Sequence, residues 1–196
     1  MTEAEWLACD TPSRMLFFVQ RTFPDARRRL LLTSCAFYWR CSPRWIPTRE
    51  KALLDATEAY ADGRLGLGWY EQEVESFCDA EREHSDEILW LMNPATLLDA
   101  FSHQRESVPD THLADLLRCI YGNPFRPVAV DPSWLTSTVV TLAEGVYLDR
   151  AFDRLPTLAD ALQDAGCDHP DILAHCRGDG PHVRGCWVVD LLLGKT

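Results

Sequence analysis

Six side chains able to bind a soft metal ion or to take part in acid–base and nucleophilic chemistry crowd one C-terminal stretch: Cys167, His169, His175, Cys176, His182 and Cys186. Zinc needs about four such nitrogen or sulfur donors at ~2.0–2.3 Å. His182 and Cys186 are four residues apart, and on a helix opening at Pro181 both lie on one face, one turn apart. Cys176 closes the preceding predicted helix, and Cys167 sits in the loop before it. A Cys167, Cys176, His182, Cys186 tetrad is therefore the candidate zinc site. Its spacing is not the paired C-x-x-C of zinc ribbons. The competing reading is structural: core cysteines, with histidines bonding the carbonyls of the Gly178–Pro181 loop. Asp190 continues the stripe among apolar neighbours. A carboxylate there needs a partner, such as Arg184, Arg154 or His182, or it orients a metal-binding histidine from outside.

The same stretch admits a nucleophile reading. His175 and Cys176 point ~100° apart on a helix, so His182 with Cys186 is the better pair. The Gly178-Asp179-Gly180 loop could present amides to an oxyanion. The chain holds no phosphate loop, dinucleotide fingerprint, H-E-x-x-H or G-x-S-x-G, so no catalytic residue is assigned.

These residues must be positioned by helices. Thr2 and Glu5 form a capping-box pattern before Trp6 and Leu7. Helical spacing follows over 13–21, then from Pro24 through Trp39, over 48–61, over 69–83, over 86–91, over 94–104 and over 110–121. Gly122-Asn123-Pro124-Phe125-Arg126-Pro127 is the strongest break. It divides an N-terminal helical part, 1–121, from a C-terminal part, 122–196, packed on it as one globular unit. Beyond it, Pro132 to Leu135 makes a turn and Val139 to Arg150 a helix. Three short helices close the chain: 157–165, a segment capped by Asp168 running 169–176, and 181–193. The run 186–193 could alternatively be a buried strand, but Gly-Pro opens it and Gly194 ends it. No other segment alternates like a strand, which predicts an all-α multi-helix domain.

The whole chain is acidic, with a net charge of −11 over 196 residues. This argues against a protein that coats nucleic acid or anionic membrane. The charge is uneven, however. Residues 14–51 carry about +7, leaving about −18 elsewhere. Arg27, Arg28, Arg29, Trp39, Arg44 and Trp45 make this segment the candidate partner-binding surface, since arginines beside aromatics can stack on nucleic-acid bases. The competing reading is that the cationic segment meets the acidic helix around Glu71 to Glu83. Arg27 to Arg29 also oppose the macrodipole at a helix start. Of the seven tryptophans, Trp45 and Trp69 lie in breaker-rich segments and are the better surface candidates.

The first ten residues, MTEAEWLACD, and the segments YGNPFRPV, DPSWLT, FDRLPTLADALQDAGC and ILAHCRGDGPHVRGCWVVDLLLGK resemble a much-expanded family of uncharacterised planctomycete proteins. The resemblance covers the start and roughly Tyr121 to Lys195. It implies an α-helical cytoplasmic protein and implies no activity. The N-terminus lacks a basic start and apolar run, no stretch approaches ~18 consecutive apolar residues, and the eight cysteines are thinly spread. A cytoplasmic chain with reduced thiols and no membrane partner is expected. The leading expectation is a non-enzymatic interaction or regulatory module with a protein partner. The alternatives are a zinc-binding module, structural or catalytic, and nucleic-acid binding through 27–49.

Overall fold

The computed structural model describes residues 1–24, 26–41, 48–80 and 110–195, and every regular element among them is helical. The predicted all-α class is what the chain adopts. Its backbone groups into two compact units, Cys9–Ala114 and Met1–Ala8 with Asp115–Thr196. The sequence break at Gly122 thus falls inside the second unit, and the first eight residues group with the C-terminal part.

In the Cys9–Ala114 unit, α2 (Pro12–Thr22) turns Met15, Leu16 and Val19 inward. Helix α3 (Arg27–Cys41) starts at Arg27 rather than Pro24, after a turn in which the Ala26 amide donates to the Phe23 carbonyl. Every residue from Leu30 to Phe37 is buried, so α3 is the unit's central helix. Its two hydroxyls in that run, Thr33 and Ser34, donate back to the Arg29 and Leu30 carbonyls at 2.7 and 3.1 Å. Helix α4 (Thr48–Ala61) packs on α3, and α5 (Leu67–Ala80) packs on α4. Cys35, Leu53, Leu54 and Phe77 form a core between them. Glu81 to Glu83 and the helices expected over 86–91 and 94–104 lie outside the described residues, as do Arg44 and Trp45.

The second unit begins with α1 (Glu3–Ala8). The capping box forms: the Thr2 amide donates to Glu5 Oε2 at 2.7 Å, and the Glu5 amide to Thr2 Oγ1 at 3.3 Å. Trp6 is fully buried, and its indole N–H donates to the Gly122 carbonyl at 3.0 Å. Arg118 donates to the Trp6 carbonyl, and Asn123 and Arg126 both reach Glu3. These bonds tie α1 to the end of α6 (Asp110–Tyr121).

After a 3-10 turn at Pro132–Trp134, Thr136 caps α7 (Ser137–Asp149) by accepting from the Val139 amide. Helix α8 (Leu155–Asp164) has Pro156 in its first turn and Gly166, at φ 90°, just beyond its end. Helix α9 is Pro170–Arg177. Its N-cap is His169, whose side chain makes no cap bond, and not the expected Asp168; Pro170 with its fixed φ sets the start one residue later. Helix α10 is only Trp187–Leu192, not the expected 181–193. Gly185 at φ 91° and a turn closed by the Cys186 amide on the Val183 carbonyl occupy the first part. A left-handed glycine cannot continue a right-handed helix. Val139, Val146, Leu155, Leu158, Leu162, Ile172, Val188, Val189 and Leu192 fill a shared core. No helix among the described residues is long and apolar enough to cross a membrane.

Candidate metal centre

Four donors from four places in the second unit converge: Cys119 on α6, His175 on α9, His182 in the following turn and Cys186 at the N-cap of α10. Their ligand atoms all lie within 4.8 Å of one another. His175 Nε2 is 3.2 Å from Cys186 Sγ, and His182 Nδ1 is 3.9 Å from Cys119 Sγ. Ligands around tetrahedral zinc at the usual bond lengths sit about 3.3–3.8 Å apart. The two distances straddle that range, so shifts of a few tenths of an ångström bring these pairs to it.

The surroundings hold the imidazoles in place. His182 Nε2 is 3.1 Å from the Gly178 carbonyl, an acceptor only, so this nitrogen donates there and Nδ1 is the ring nitrogen that faces the cluster. The His175 ring meets His182 edge-on, centroids 4.8 Å apart, and tilts against Trp187 at 5.4 Å. Trp187 is backed by Gly122, where a Cβ would come within 3.1–3.4 Å of three of its ring atoms. The end of α6, the Trp187 ring and His175 therefore form one packed column.

Electrostatics divides the two thiols. Burial alone would raise Cys186, but hydrogen bonds from Cys119, His175 and His182 hold it well below the usual thiol range. Burial pushes Cys119 up, and its bond to Cys186 adds to this. Burial opposes the charged form of His182, yet its bonds to Cys186 and to the Gly178 carbonyl raise it on balance. The group thus gathers around a sulfur stabilised as thiolate, the form that binds metal.

The sequence tetrad and this group share His182 and Cys186. Cys167 and Cys176 lie outside it, fully buried in the apolar core. Burial pushes Cys176 far above the usual thiol range, with Cys186 and Cys167 adding to the effect. His182 and Cys186 meet the cluster through a turn, not as one face of a helix. Sequence reasoning names His175 among the candidate donors but leaves it out of the tetrad, and misses Cys119. On α9, Ile172 and Cys176 are the buried i, i+4 pair. That stripe claims Cys176 for the core and leaves His175 ~100° around. Cys119 follows Leu116 by three on the apolar face of α6, and nothing in its spacing links it to donors 56 residues away. Asp190 is 3 % exposed on α10, and its charge acts on Cys119. Of its expected partners, Arg184 is also buried, with its guanidinium 4.5 Å from the Tyr147 ring centroid, while Arg154 is exposed.

Among the described residues of the cationic segment, Arg27 and Arg28 are engaged within their own unit. Arg28 pairs with Asp62 at 3.2 Å, and the Asp62 side chain is inaccessible to solvent. Arg27 lies over the Tyr60 ring, which stacks on Tyr70 at 4.5 Å. Arg29 is half-buried, and Trp39 packs half-buried against the Cys35 core. Arg28 thus meets Asp62, at the end of α4.

No family model matches the chain, and no curated protein or solved structure is similar to it.

Proposed function

We propose that the Met1–Ala8 and Asp115–Thr196 unit is a zinc-binding module in which Cys119, His175, His182 and Cys186 hold the metal in a structural role. The observation that carries this reading is the convergence of two thiols and two imidazoles within 4.8 Å. Two soft sulfurs and two imidazoles around a tetrahedral position favour zinc over the harder cations. Four protein donors complete that tetrahedron and leave no position for a substrate, which favours a structural over a catalytic zinc. Bound there, zinc ties α6, α9 and α10 together, and the protein works as a non-enzymatic interaction module. A nucleophilic Cys186 is disfavoured because its side chain is 1 % exposed. The engagement of Arg27 by Tyr60 and of Arg28 by Asp62 weighs against a nucleic-acid surface on that segment.

Metal analysis of protein purified under reducing conditions without chelator tests the reading. About one equivalent of zinc is expected, retained by Cys167→Ser and lost from Cys119→Ser and from His175→Ala. Less than ~0.2 equivalent in the parent chain, after incubation with zinc and gel filtration, rejects it.

A further inference from the structure

The four donors are unequally buried. Cys119 and Cys186 are sealed in the core, whereas His175 and His182 are half-buried. A cleft of about 360 Å³ opens beside the group, lined in part by Asp153, Cys176, Gly178, Asp179, Gly180 and His182. Of the four donors, His182 lines it. The two carboxylates are exposed, on the 3-10 turn before α8 and on the loop after α9. The loop carrying Asp179 is the one whose Gly178 carbonyl holds His182 Nε2.

Resting on the zinc reading, we infer that this cleft is the route by which the ion reaches and leaves the centre. Asp153 and Asp179 draw the cation in, and His182 is the first donor it meets. A cleft lined by one sign of charge concentrates the opposite ion and accelerates its association. Cys119 and Cys186 are buried and do not line the cleft, so an incoming ion meets His182 before it meets either sulfur. Departure follows the same path in reverse, with the His182 bond the last to break. Gly180, which lines the cleft, leaves space there. A Cβ at Gly180 meets nothing within 4 Å, and the backbone there is not left-handed. A larger side chain can be introduced at Gly180 to obstruct the passage without backbone strain.

Stopped-flow zinc uptake by the metal-free full chain, and zinc release to excess chelator from the loaded chain, test this. The probe is the zinc ion alone. For Asp153→Asn with Asp179→Asn, uptake is expected to slow several-fold at low salt. The difference should shrink at about 0.5 M salt, where the screening length falls below ~5 Å. For Gly180→Leu, uptake and release are expected to slow by the same factor, so the affinity stays constant. Unchanged rates in both variants, with one zinc still bound, overturn the route and leave the zinc site standing. Failure of the parent chain to take up zinc overturns both. Release slowed without uptake in Gly180→Leu assigns the effect to the bound state and also overturns the route.

Discussion

Gly122→Ala connects the fold to the candidate centre and separates two costs. Gly122 follows the last residue of α6 at φ 63°, with its amide donating to the Arg118 carbonyl at 2.9 Å. An alanine in the left-handed region costs roughly 1–2 kcal/mol. The new methyl also lies 3.1, 3.2 and 3.4 Å from Trp187 ring atoms, tighter than ordinary contact. Displacing a packed ring adds roughly 1–3 kcal/mol, for a total of about 2–5 kcal/mol. Gly166→Ala is the internal control. It sits in the same unit at φ 90° with nothing within 4 Å of an added Cβ, so it carries the backbone cost alone. Urea denaturation followed by far-ultraviolet circular dichroism, with both variants at one metal concentration, gives the two losses by linear extrapolation. Gly122→Ala should lose at least 1 kcal/mol more than Gly166→Ala. Adding Trp187→Leu should make the two glycine changes less than additive at 122. Equal losses at 122 and 166, within about 0.5 kcal/mol, refute the claim that Trp187 packs on Gly122. Trp187 also leans on His175, so Gly122→Ala should shift the His175 ring resonances, and Gly166→Ala should not.

Other features yield further tests. Asp62→Ala removes the inaccessible carboxylate facing Arg28 and should destabilise the Cys9–Ala114 unit by roughly 2–4 kcal/mol. Arg64→Ala removes a partner that is 53 % exposed and should cost under about 1 kcal/mol; equal losses in denaturant reject the difference. Trp6→Phe deletes the indole bond to the Gly122 carbonyl and should cost about 1–3 kcal/mol, with unfolding at an unchanged midpoint the contrary result. The Asp131 carboxyl is held below its ordinary range by the Ser133 amide and hydroxyl. A lowered carboxyl contributes above its ordinary range and loses that contribution as pH falls through the lowered value. Ser133→Ala should therefore raise the Asp131 midpoint in an NMR titration, and an unmoved midpoint rejects the bond.

The fold was readable where local chemistry and packing agree. The Thr48–Ala61 and Asp110–Tyr121 helices begin and end where pattern and punctuation put them. The Thr2/Glu5 box forms as its spacing dictates. Differences arise where a glycine's role depends on what surrounds it. Gly185 lies inside an apolar run that reads as helix, because a lone glycine is tolerated in one. In the folded chain it is left-handed, so the helix can start only after Cys186. Gly122 marks the end of α6, but its carbonyl also accepts from Trp6 and its Cα faces Trp187. Those contacts join residues more than 60 positions apart, and composition or period does not encode them.

The candidate centre follows the same rule. The spacing of His182 and Cys186 suggests one face of a helix, but the four-residue step between them spans a turn. The turn brings them together for a different reason: the Cys186 amide closes on Val183 while the Gly178 carbonyl fixes the His182 ring. The remaining donors depend on which face of each helix meets the core. Once Ile172 and Cys176 are buried together on α9, Cys176 is committed to apolar packing and the neighbouring His175 is carried around to the cluster. A cysteine ranks high as a ligand by type, but on an amphipathic helix its phase decides, and here the apolar stripe gives Cys176 to the core. Cys119 follows from the same logic one step further out. Helix α6 must lay Leu116, Leu117 and Ile120 inward, and Trp6 anchors the helix end at Gly122. With the helix fixed in rotation and at its end, the Cys119 sulfur has little freedom but to face the turn bearing His182 and Cys186. The centre is thus a consequence of the core, formed where three buried stripes leave their polar neighbours facing one another.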